Sequence, residues 1–227
     1  MNLTPLLPLP PASEKILLAR AQRLAGLSIA EVAAMVGMTM PKNLNHHKGW
    51  VGDLLELALG ASAMSKPEPD FPHLGIELKS IPLNEQGTPL ESTYICHVPL
   101  GDLLSTKWEE SWLCHKLARV LWVPVIAPRH IPLGERRFAT PFIWSPSPEQ
   151  ATQLQQDWLE LMELIWSGEV ERITAHHGTL LQIRPKAANA RSRTAALGPD
   201  GSELSTNPRG FYLRTGFTQT LLHHYFI

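Results

Sequence analysis

The 227-residue sequence has few cysteines, almost no net charge and no long apolar run. Its two cysteines, Cys96 and Cys114, lack the C-x-x-C spacing of redox and metal sites, so we expect reduced, buried thiols in the cytoplasm. No stretch approaches the roughly 18 apolar residues of a membrane-spanning helix. The start of the chain lacks the basic residues and the continuous apolar core of a secretory signal. These absences predict a soluble cytoplasmic protein without a membrane segment.

The net charge of -1 means that any surface for nucleic acid has to be a local patch. One candidate lies in the last third of the chain, in a segment that contains seven basic residues and only two acidic ones, Asp200 and Glu203. The basic residues are Arg172, Arg184, Lys186, Arg191, Arg193, Arg209 and Arg214. Their spacing predicts a phosphate-binding surface, although a solvated basic loop has the same composition.

Capping residues and apolar spacing predict three helices early in the chain, at residues 13–26, 28–37 and 48–60. The first two are separated by a tight glycine turn, as in a helix-turn-helix module. The second of them would have to contact bases, yet residues 29–36 carry only Glu31 as a charged side chain and no Arg, Lys, Asn or Gln. Packing is therefore the favoured interpretation of this pair.

The rest of the chain alternates strand-like and helical runs and predicts a mixed α/β fold with a central sheet flanked by helices. Strands at residues 71–81 and 92–98 form a meander through a loop rich in proline and glycine. Residues 118–127 predict a central strand, in which Pro124 indicates an edge or an irregularity. The remaining predictions are a short helix at 111–116, a long helix at 148–168, a strand at 179–183, a polar loop, a short run at 210–214 and a closing helix.

The strongest chemical signal is the spacing of Asp70, Glu77 and Lys79 after Pro69. Side chains alternate along a strand, so Glu77 and Lys79 point to one face while Leu78 enters the core. A bend between the two acidic residues lets two carboxylates converge beside an amine. Carboxylates bind hard divalent cations such as magnesium, which offset the charge that develops when a phosphodiester is hydrolysed.

On spacing alone, two interpretations of this motif stay open. The pattern is common by chance, and Glu77 with Lys79 is then an ordinary exposed ion pair. If the site is catalytic, Lys79 either helps to deprotonate the attacking water or stays an ammonium that stabilises the phosphorane. The first role needs a pKa lowered by desolvation, whereas the neighbouring carboxylates raise it.

Several separated motifs together resemble the MutH family of mismatch-repair nicking enzymes along nearly the whole chain. The matching segments are Lys48–Gly52, Leu54–Glu56, Pro69–Lys79, Ile183–Ala187 and Pro208–Leu213. The resemblance implies a restriction-endonuclease-like fold with two lobes around a DNA cleft. The amino-terminal lobe, about residues 1–110, would hold the catalytic motif, and the carboxy-terminal lobe, about residues 111–227, would read DNA.

The same resemblance implies an activity, a cofactor and partners. The protein would be a monomeric endonuclease that uses magnesium, or manganese in its place, to nick the unmethylated strand at hemimethylated GATC sites. MutL would activate it, with MutS acting upstream. A nuclease active on every newly replicated GATC site would be harmful, so we expect the catalytic site to be incompletely assembled until MutL acts and the lobes close on DNA.

Roles for individual residues also follow from the resemblance. Asp70 and Glu77 would hold the metal and Lys79 would complete the catalytic centre, with Glu56 and Lys116 near it. Considered without the family, Glu56 is a polar residue beside an apolar stripe and Lys116 is a helix lysine whose stem covers apolar surface.

The resemblance also implies a second set of residues that would contact DNA, namely Lys48, Tyr94, Arg184, Pro185, Lys186 and Tyr212. Arg184 can pair bidentately with guanine. Tyr212 can exclude the methyl group of methylated adenine by its bulk, although an ordinary half-buried tyrosine has the same sequence context. Tyr94 stands where we expect phenylalanine in the family, which leaves its share in methyl sensing open.

Two rival functions remain open from the sequence. A type II restriction endonuclease of the same fold would cut both strands. A helix-turn-helix regulator would bind DNA without cutting it.

Overall fold

The structure is a computed structural model that describes residues 7–42, 49–63, 68–101, 107–186 and 191–226. Its contacts divide the chain into two compact units, each drawn from two stretches. The first unit holds residues 1–91 and 118–145, and the second holds residues 92–117 and 146–227. The assignment of separate tasks to lobes that meet near residue 110 stays a prediction.

Six α-helices lie in the described part of the chain. They are α1 (Glu14–Gln22), α2 (Ile29–Val36), α3 (Trp50–Leu59), α4 (Trp112–Leu117), α5 (Pro148–Trp166) and α6 (Thr215–Phe226). The predicted caps are confirmed, since Ser13 accepts the amide of Ile16 and Ser28 forms a complete capping box with Glu31. Each such cap stabilises its helix by about 1 kcal/mol. None of the described helices is long and apolar enough to cross a membrane.

The sheet of the first unit is built around β3 (Val120–Ile126). Strand β1 (Glu77–Leu83) runs parallel to it on one side, and two short strands pair antiparallel with it on the other. These are β4 (Arg137–Phe138) and β5 (Phe142–Trp144). All of β3 except its last residue is buried, as expected for a central strand covered on both faces.

The pairing around Pro124 explains why a proline is tolerated in the middle of β3. Pairing with β5 ends at Trp122 and pairing with β4 begins at Val125, so Pro124 falls between the two ladders. Its carbonyl accepts the Ala139 amide at 2.8 Å on that side of the strand. The missing amide of Pro124 therefore breaks neither ladder, and the predicted irregularity is confirmed.

The core of the first unit lies between this sheet and the first three helices. Its buried members include Leu17, Ile29, Val32, Leu54, Leu55, Phe71, Leu78, Leu121, Val123 and Phe138. Leu78 is thus in the core as its position between Glu77 and Lys79 predicts. The packing fixes α3 and β1, which carry the candidate catalytic residues.

The second unit contains an antiparallel sheet in the order β2 (Thr93–His97), β9 (Arg209–Leu213), β6 (Leu181–Pro185). The predicted meander is therefore wrong, because β2 follows β1 in sequence but belongs to a different sheet. Cys96 is buried on β2 and Cys114 is half-buried on α4, and neither forms a disulfide bond within the described residues. The mixed α/β class is confirmed by the two units together.

A hairpin of β7 (Thr194–Leu197) and β8 (Glu203–Thr206) replaces part of the predicted polar loop. The Ser202 amide donates to Asp200 Oδ1 at 3.0 Å, and Gly201 follows with a φ of +80°. An Asp-Gly dipeptide is a strong hairpin signal because its backbone tolerates the left-handed region. The sequence therefore contained the signal for this turn.

Candidate functional site

The segment that separates the two predicted carboxylates is a tight loop and not part of a strand. Phe71 and Ile76 form an isolated antiparallel bridge with N···O distances of 2.9 and 3.3 Å. A 3-10 turn lies between them and ends at Gly75, whose φ of +64° favours glycine. The prediction of a strand throughout residues 71–81 is wrong for its first half, since β1 begins at Glu77.

This loop brings the Asp70 carboxylate back beside the start of β1. Its Oδ2 atom accepts a hydrogen bond from the Leu78 amide at 2.7 Å. The Asp70 carbonyl accepts the amides of Ser62 and Ala63 at 3.1 and 3.4 Å. Both the backbone and the side chain of Asp70 are thereby fixed, with the carboxylate next to the peptide that links Glu77 to Leu78.

Glu77 and Lys79 form a close ion pair at the start of β1. The Lys79 Nζ lies 2.5 Å from Glu77 Oε1, and the exposed fractions of the two side chains are 16% and 1%. The Glu77 amide donates to the Arg119 carbonyl at 3.0 Å, which fixes the backbone at this point. A carboxylate so deeply buried needs a cation nearby, and Lys79 provides one. The ordinary exposed ion pair is excluded as an interpretation of these two residues.

Glu56 on α3 lies in the electrostatic field of the same groups. Burial, followed by the negative charges of Asp70 and Asp53, raises the pKa of its carboxyl to about 7. The positive charge of Lys79 opposes this shift, and Glu77 adds to it. The structure thus brings Glu56 close to the predicted catalytic residues. Asp53, one turn earlier on α3, is a member of this neighbourhood that the sequence analysis missed.

The donor set of this group suits a magnesium ion. No three His, Cys, Asp or Glu side chains converge as a metal cluster among the described residues. Magnesium needs only one or two protein carboxylates because it keeps several of its waters. Asp70 and Glu77 offer hard oxygen donors. Glu56 adds a nearby acidic group, whose pKa is raised mainly by burial and then by the negative charges of Asp70 and Asp53.

The structure does not test the roles of two lysines that the sequence predicts for this site. Lys48 lies outside the described residues. Lys116 is half-buried on α4 in the second compact unit, whereas Asp70 and Glu77 belong to the first. The roles of both lysines stay predictions.

Tyr94 and Tyr212 face each other across β2 and β9 in the second unit. They are register partners, and their rings meet edge to face with centroids 5.4 Å apart. Gln182 on β6 is the partner of Tyr212 on its other side. Directly paired residues of antiparallel strands point to the same face, so these three half-buried side chains form a row across the sheet.

Two basic side chains lie over the rings of this row. The Lys186 Nζ is 4.2 Å from the centroid of the Tyr94 ring. The Arg184 Cζ is 5.7 Å from the centroid of the Tyr212 ring. We call these four residues the reading face. A cation held over an aromatic ring keeps its hydrogen-bond donors, so the reading face presents positive charge and aromatic surface together.

Gly210 on β9 makes room for the two tyrosine rings. A Cβ at this position would lie 2.8 Å from Tyr94 Cε2 and 3.2 Å from Tyr212 Cε2. A side chain here would therefore displace the rings. Pro185, the exposed last residue of β6, pairs with Arg209 beside Gly210 and so borders the reading face.

Two members of the predicted basic patch form ion pairs with acidic side chains. Arg209 is 8% exposed, and its Nη2 lies 2.9 Å from Glu171 Oε2. Arg172 is tied to Glu169, with 2.6 Å between Nη1 and Oε1. Both acidic partners directly precede the segment from Arg172 to Arg214, so they reduce its local excess of positive charge. Phosphate binding by this patch stays a prediction. Arg184 on the reading face remains exposed.

The face that α2 turns outward carries nothing that could identify a base. Ile29, Val32 and Ala33 are buried in the core of the first unit. The exposed positions of the helix are Ala30, Glu31, Ala34 and Met35. Glu31 is already engaged in the capping box. The packing interpretation of the helix pair is confirmed.

Asp157 on α5 is a second residue that the sequence analysis missed. It is 2% exposed, and its Oδ2 accepts the amides of Leu180 and Leu181 at 2.6 and 2.8 Å. Its Oδ1 accepts from Gln153 Nε2 at 2.8 Å. An acidic residue on the apolar stripe of a helix was the available signal. Asp157 fixes the start of β6, the strand that carries Arg184.

Comparison with known proteins gives the same family along nearly the whole chain. The family described as DNA mismatch repair enzyme MutH matches residues 59–157. The chain is 55% identical over 218 residues to the DNA mismatch repair protein MutH of Shewanella baltica strain OS195, which covers 96% of this chain and 98% of that protein. The identity is 54% to the protein of the same name from Shewanella sp. strain MR-7 and 55% to that from Shewanella putrefaciens, over the same shares.

Proposed function

The chain belongs to the MutH family of DNA mismatch repair enzymes, and we propose that it nicks the unmethylated strand of hemimethylated GATC sites with the help of magnesium. The restriction-endonuclease-like fold expected from the resemblance agrees with the mixed α/β structure. One observation carries the proposal above the others. The Asp70 carboxylate is hydrogen-bonded beside the buried pair of Glu77 and Lys79, so two acidic groups and an amine meet at the start of one strand.

Asp70 and Glu77 would hold the magnesium ion through their carboxylate oxygens. The ion, when bound, polarises the scissile phosphate and makes a coordinated water more acidic. Glu77 is 1% exposed, so its carboxylate has little freedom to turn away from the ion. The Leu78 amide orients the Asp70 carboxylate in the same way. Both ligands are thus fixed before DNA arrives, which removes an entropic cost from metal binding.

Lys79 would act as a cation in this reaction. As an ammonium, it uses one of its three hydrogens in the contact with Glu77. The other two can bind the attacking water and an oxygen of the phosphate, where negative charge grows in the transition state. Glu56 would add to the negative field that draws the metal to the site, and Lys116 would join the site on DNA.

The reading face would contact the bases. Arg184 is exposed and suited to the bidentate contact with guanine, and Lys186 and Pro185 follow it on the same strand end. Tyr212 would exclude the methyl group of the modified adenine, supported by the ring of Tyr94 at 5.4 Å. Lys48 would add a further DNA contact by resemblance to the family.

We also propose the partners and the setting that family membership implies. The protein would act in the cytoplasm as a monomer, with MutS upstream and MutL as the activator that completes the site. Chemistry would fall to the lobe before about residue 110 and most base reading to the lobe after it. Equal rates on cognate DNA with and without MutL would contradict the activation step.

Nicking of three oligonucleotide duplexes tests substrate and chemistry together. The duplexes carry one GATC site that is unmethylated, hemimethylated or fully methylated. We expect cutting of the unmethylated duplex and of the unmethylated strand of the hemimethylated duplex. We expect no cutting of the fully methylated duplex, and none of any duplex without a divalent cation. Glu77→Ala abolishes cutting but keeps much of the DNA affinity, because the reading face is unchanged.

A closed-circular plasmid separates this function from double-strand cleavage by a restriction endonuclease. A nicking enzyme converts a plasmid with one hemimethylated GATC site into a relaxed circle that persists. Linear DNA as the first product would contradict the proposal. DNA binding without any scission in magnesium or manganese would instead indicate a regulator.

A further inference from the structure

The guanidinium of Arg184 has a side-chain partner that the proposed function leaves unexplained. Arg184 Nη1 donates a hydrogen bond to Ser92 Oγ at 2.7 Å. Ser92 is 8% exposed and directly precedes β2, whereas Arg184 is exposed and lies on β6, 92 residues later. A buried hydroxyl therefore holds the end of an exposed, flexible side chain.

The same guanidinium lies beside the Tyr212 ring, with 5.7 Å between Cζ and the ring centroid. Ser92 and Tyr212 thus both lie against the guanidinium. Among the described residues, the structure records no third partner for the Arg184 side chain. An arginine has five N–H donors in a rigid fork, so four of them stay available for DNA.

We propose that Ser92 is a positioning residue for sequence discrimination, because its hydroxyl fixes the plane in which Arg184 presents its donors to guanine. This inference rests on the proposed function. A bidentate contact with guanine O6 and N7 requires both donors to lie in the plane of the base. A free arginine side chain samples many rotamers and loses that entropy on binding. An arginine that Ser92 already holds loses less side-chain entropy on binding. This advantage applies only to a guanine that lies in the plane of the held guanidinium.

The role of Ser92 differs from that of an ordinary buried serine. The hydrogen bond recorded for its side chain goes to Arg184 and not to the backbone, so the ladder between β2 and β9 does not depend on it. Ser111 offers a matched control in the same compact unit. It is 6% exposed, and its hydroxyl donates to the Trp108 carbonyl and accepts the Cys114 amide.

The experiment compares a GATC duplex with one in which 7-deazaguanine replaces both guanines of the site. The analogue lacks the N7 acceptor and leaves the base pair intact. Single-turnover nicking rates are measured in magnesium, and affinities are measured by fluorescence anisotropy in calcium. The ratio of the rates on the two duplexes measures the contribution of the guanine contact to nicking. The ratio of the affinities measures the same contact in binding, even for a protein that does not cut.

The variants are Ser92→Ala, Ser92→Thr, Arg184→Ala, the double variant Ser92→Ala with Arg184→Ala, and Ser111→Ala. Loss of one hydrogen bond to a charged group predicts about a tenfold lower rate on GATC for Ser92→Ala and a smaller ratio between the duplexes. Ser92→Thr keeps the hydroxyl and restores both values. Ser92→Ala adds nothing in the Arg184→Ala background. Ser111→Ala lowers thermal stability and leaves the ratio unchanged.

Two results would overturn the positioning role. One is a loss in Ser92→Ala that is equal on both duplexes. The other is a loss that persists in full when Arg184 is already alanine. Failure of the proposed function looks different, since the unsubstituted protein would then leave the GATC duplex uncut while the affinity ratios still report on Ser92.

Discussion

The Asp70 carboxylate accepts the amide hydrogen of Leu78, eight residues further along the chain, at 2.7 Å. This hydrogen bond attaches the loop after Pro69 to the peptide beside Glu77. It sets where the first acidic group lies relative to the second. A neutral amide oxygen can accept the same hydrogen bond, so the charge of Asp70 can be removed without removing its structural role.

Asp70→Asn is therefore expected to separate chemistry from folding. Loss of a metal-binding charge lowers the single-turnover nicking rate by on the order of 10²–10³-fold. The free energy of unfolding changes by less than about 1 kcal/mol, because the acceptor for Leu78 remains. Nicking assays and thermal melts measure the two effects. Unchanged cutting by Asp70→Asn would remove Asp70 from the catalytic centre.

The raised pKa of Glu56 predicts that, in the absence of metal, the free energy of unfolding falls as the pH rises. The pKa of its carboxyl is raised from the ordinary value of 4.5 to about 7, mainly by burial and then by Asp70 and Asp53. The folded state thus binds this proton more tightly than the unfolded state. The stability that the proton contributes is complete below pH 4.5 and is lost as the pH rises through 7.

Melting temperatures in a chelator between pH 5 and pH 8 check this prediction. We expect the unsubstituted protein to lose stability across the window and Glu56→Gln to lose less. Magnesium at pH 8 restores stability, because it offsets the negative charge around Glu56. Glu163→Gln, an exposed change on α5, serves as the control. Identical pH profiles for Glu56→Gln and the unsubstituted protein would contradict the effect of burial.

Tyr94→Phe is expected to leave methyl discrimination intact. The Lys186 Nζ lies over the ring at 4.2 Å, and the Tyr212 ring meets its edge. Both contacts use the ring and not the hydroxyl, so phenylalanine keeps them. Tyr94→Leu removes the ring and narrows the difference in rate between hemimethylated and fully methylated duplexes. Loss of discrimination in Tyr94→Phe would assign the hydroxyl a role of its own.

Gly210→Ala is expected to disturb the reading face. Its Cβ would lie 2.8 Å from Tyr94 Cε2, so the ring has to move. Overpacking of this kind costs about 1–3 kcal/mol and displaces the tyrosine rings that we propose to contact DNA. Gly52→Ala on α3 is the matched control, because a Cβ there meets nothing within 4 Å and alanine favours a helix by about 0.5–1 kcal/mol. Denaturant unfolding and DNA affinity distinguish the two variants.

Asp157→Ala is expected to weaken the strand that carries Arg184. The substitution leaves the amides of half-buried Leu180 and buried Leu181 without their acceptor. Each unsatisfied donor costs about 1–3 kcal/mol, so the free energy of unfolding falls by roughly 2–6 kcal/mol. Hydrogen exchange at these two amides accelerates more than exchange in β3. Slow exchange of both amides in the variant would show that Asp157 does not fix β6.

Local signals made the helices and the alternation of side chains along β1 predictable. Ser28 and Glu31 lie close in sequence, so their capping box needs no knowledge of the rest of the fold. The alternation that buries Leu78 between Glu77 and Lys79 is equally local. The turn at Gly201 was readable but was overlooked among small polar residues.

Contacts between distant parts of the chain could not be read in this way. Ser92 and Arg184 are 92 residues apart, and no pattern within either segment predicts their hydrogen bond. The register that sets Tyr94 opposite Tyr212 likewise depends on a bulge between Tyr94 and Cys96. Proximity in sequence predicts a meander of β1 and β2, yet the two strands pair with distant segments and lie in separate sheets.

That separation has a consequence for protein engineering. The hydrogen bonds that hold Glu77 belong to the ladder of β1 and β3, whereas those that hold Arg184 and Tyr212 belong to β6 and β9. A library randomised at the outward positions of β6 and β9 leaves every backbone contact of β1, the strand of Glu77 and Lys79, untouched. Variants selected from it for a new target site retain the means to cut it.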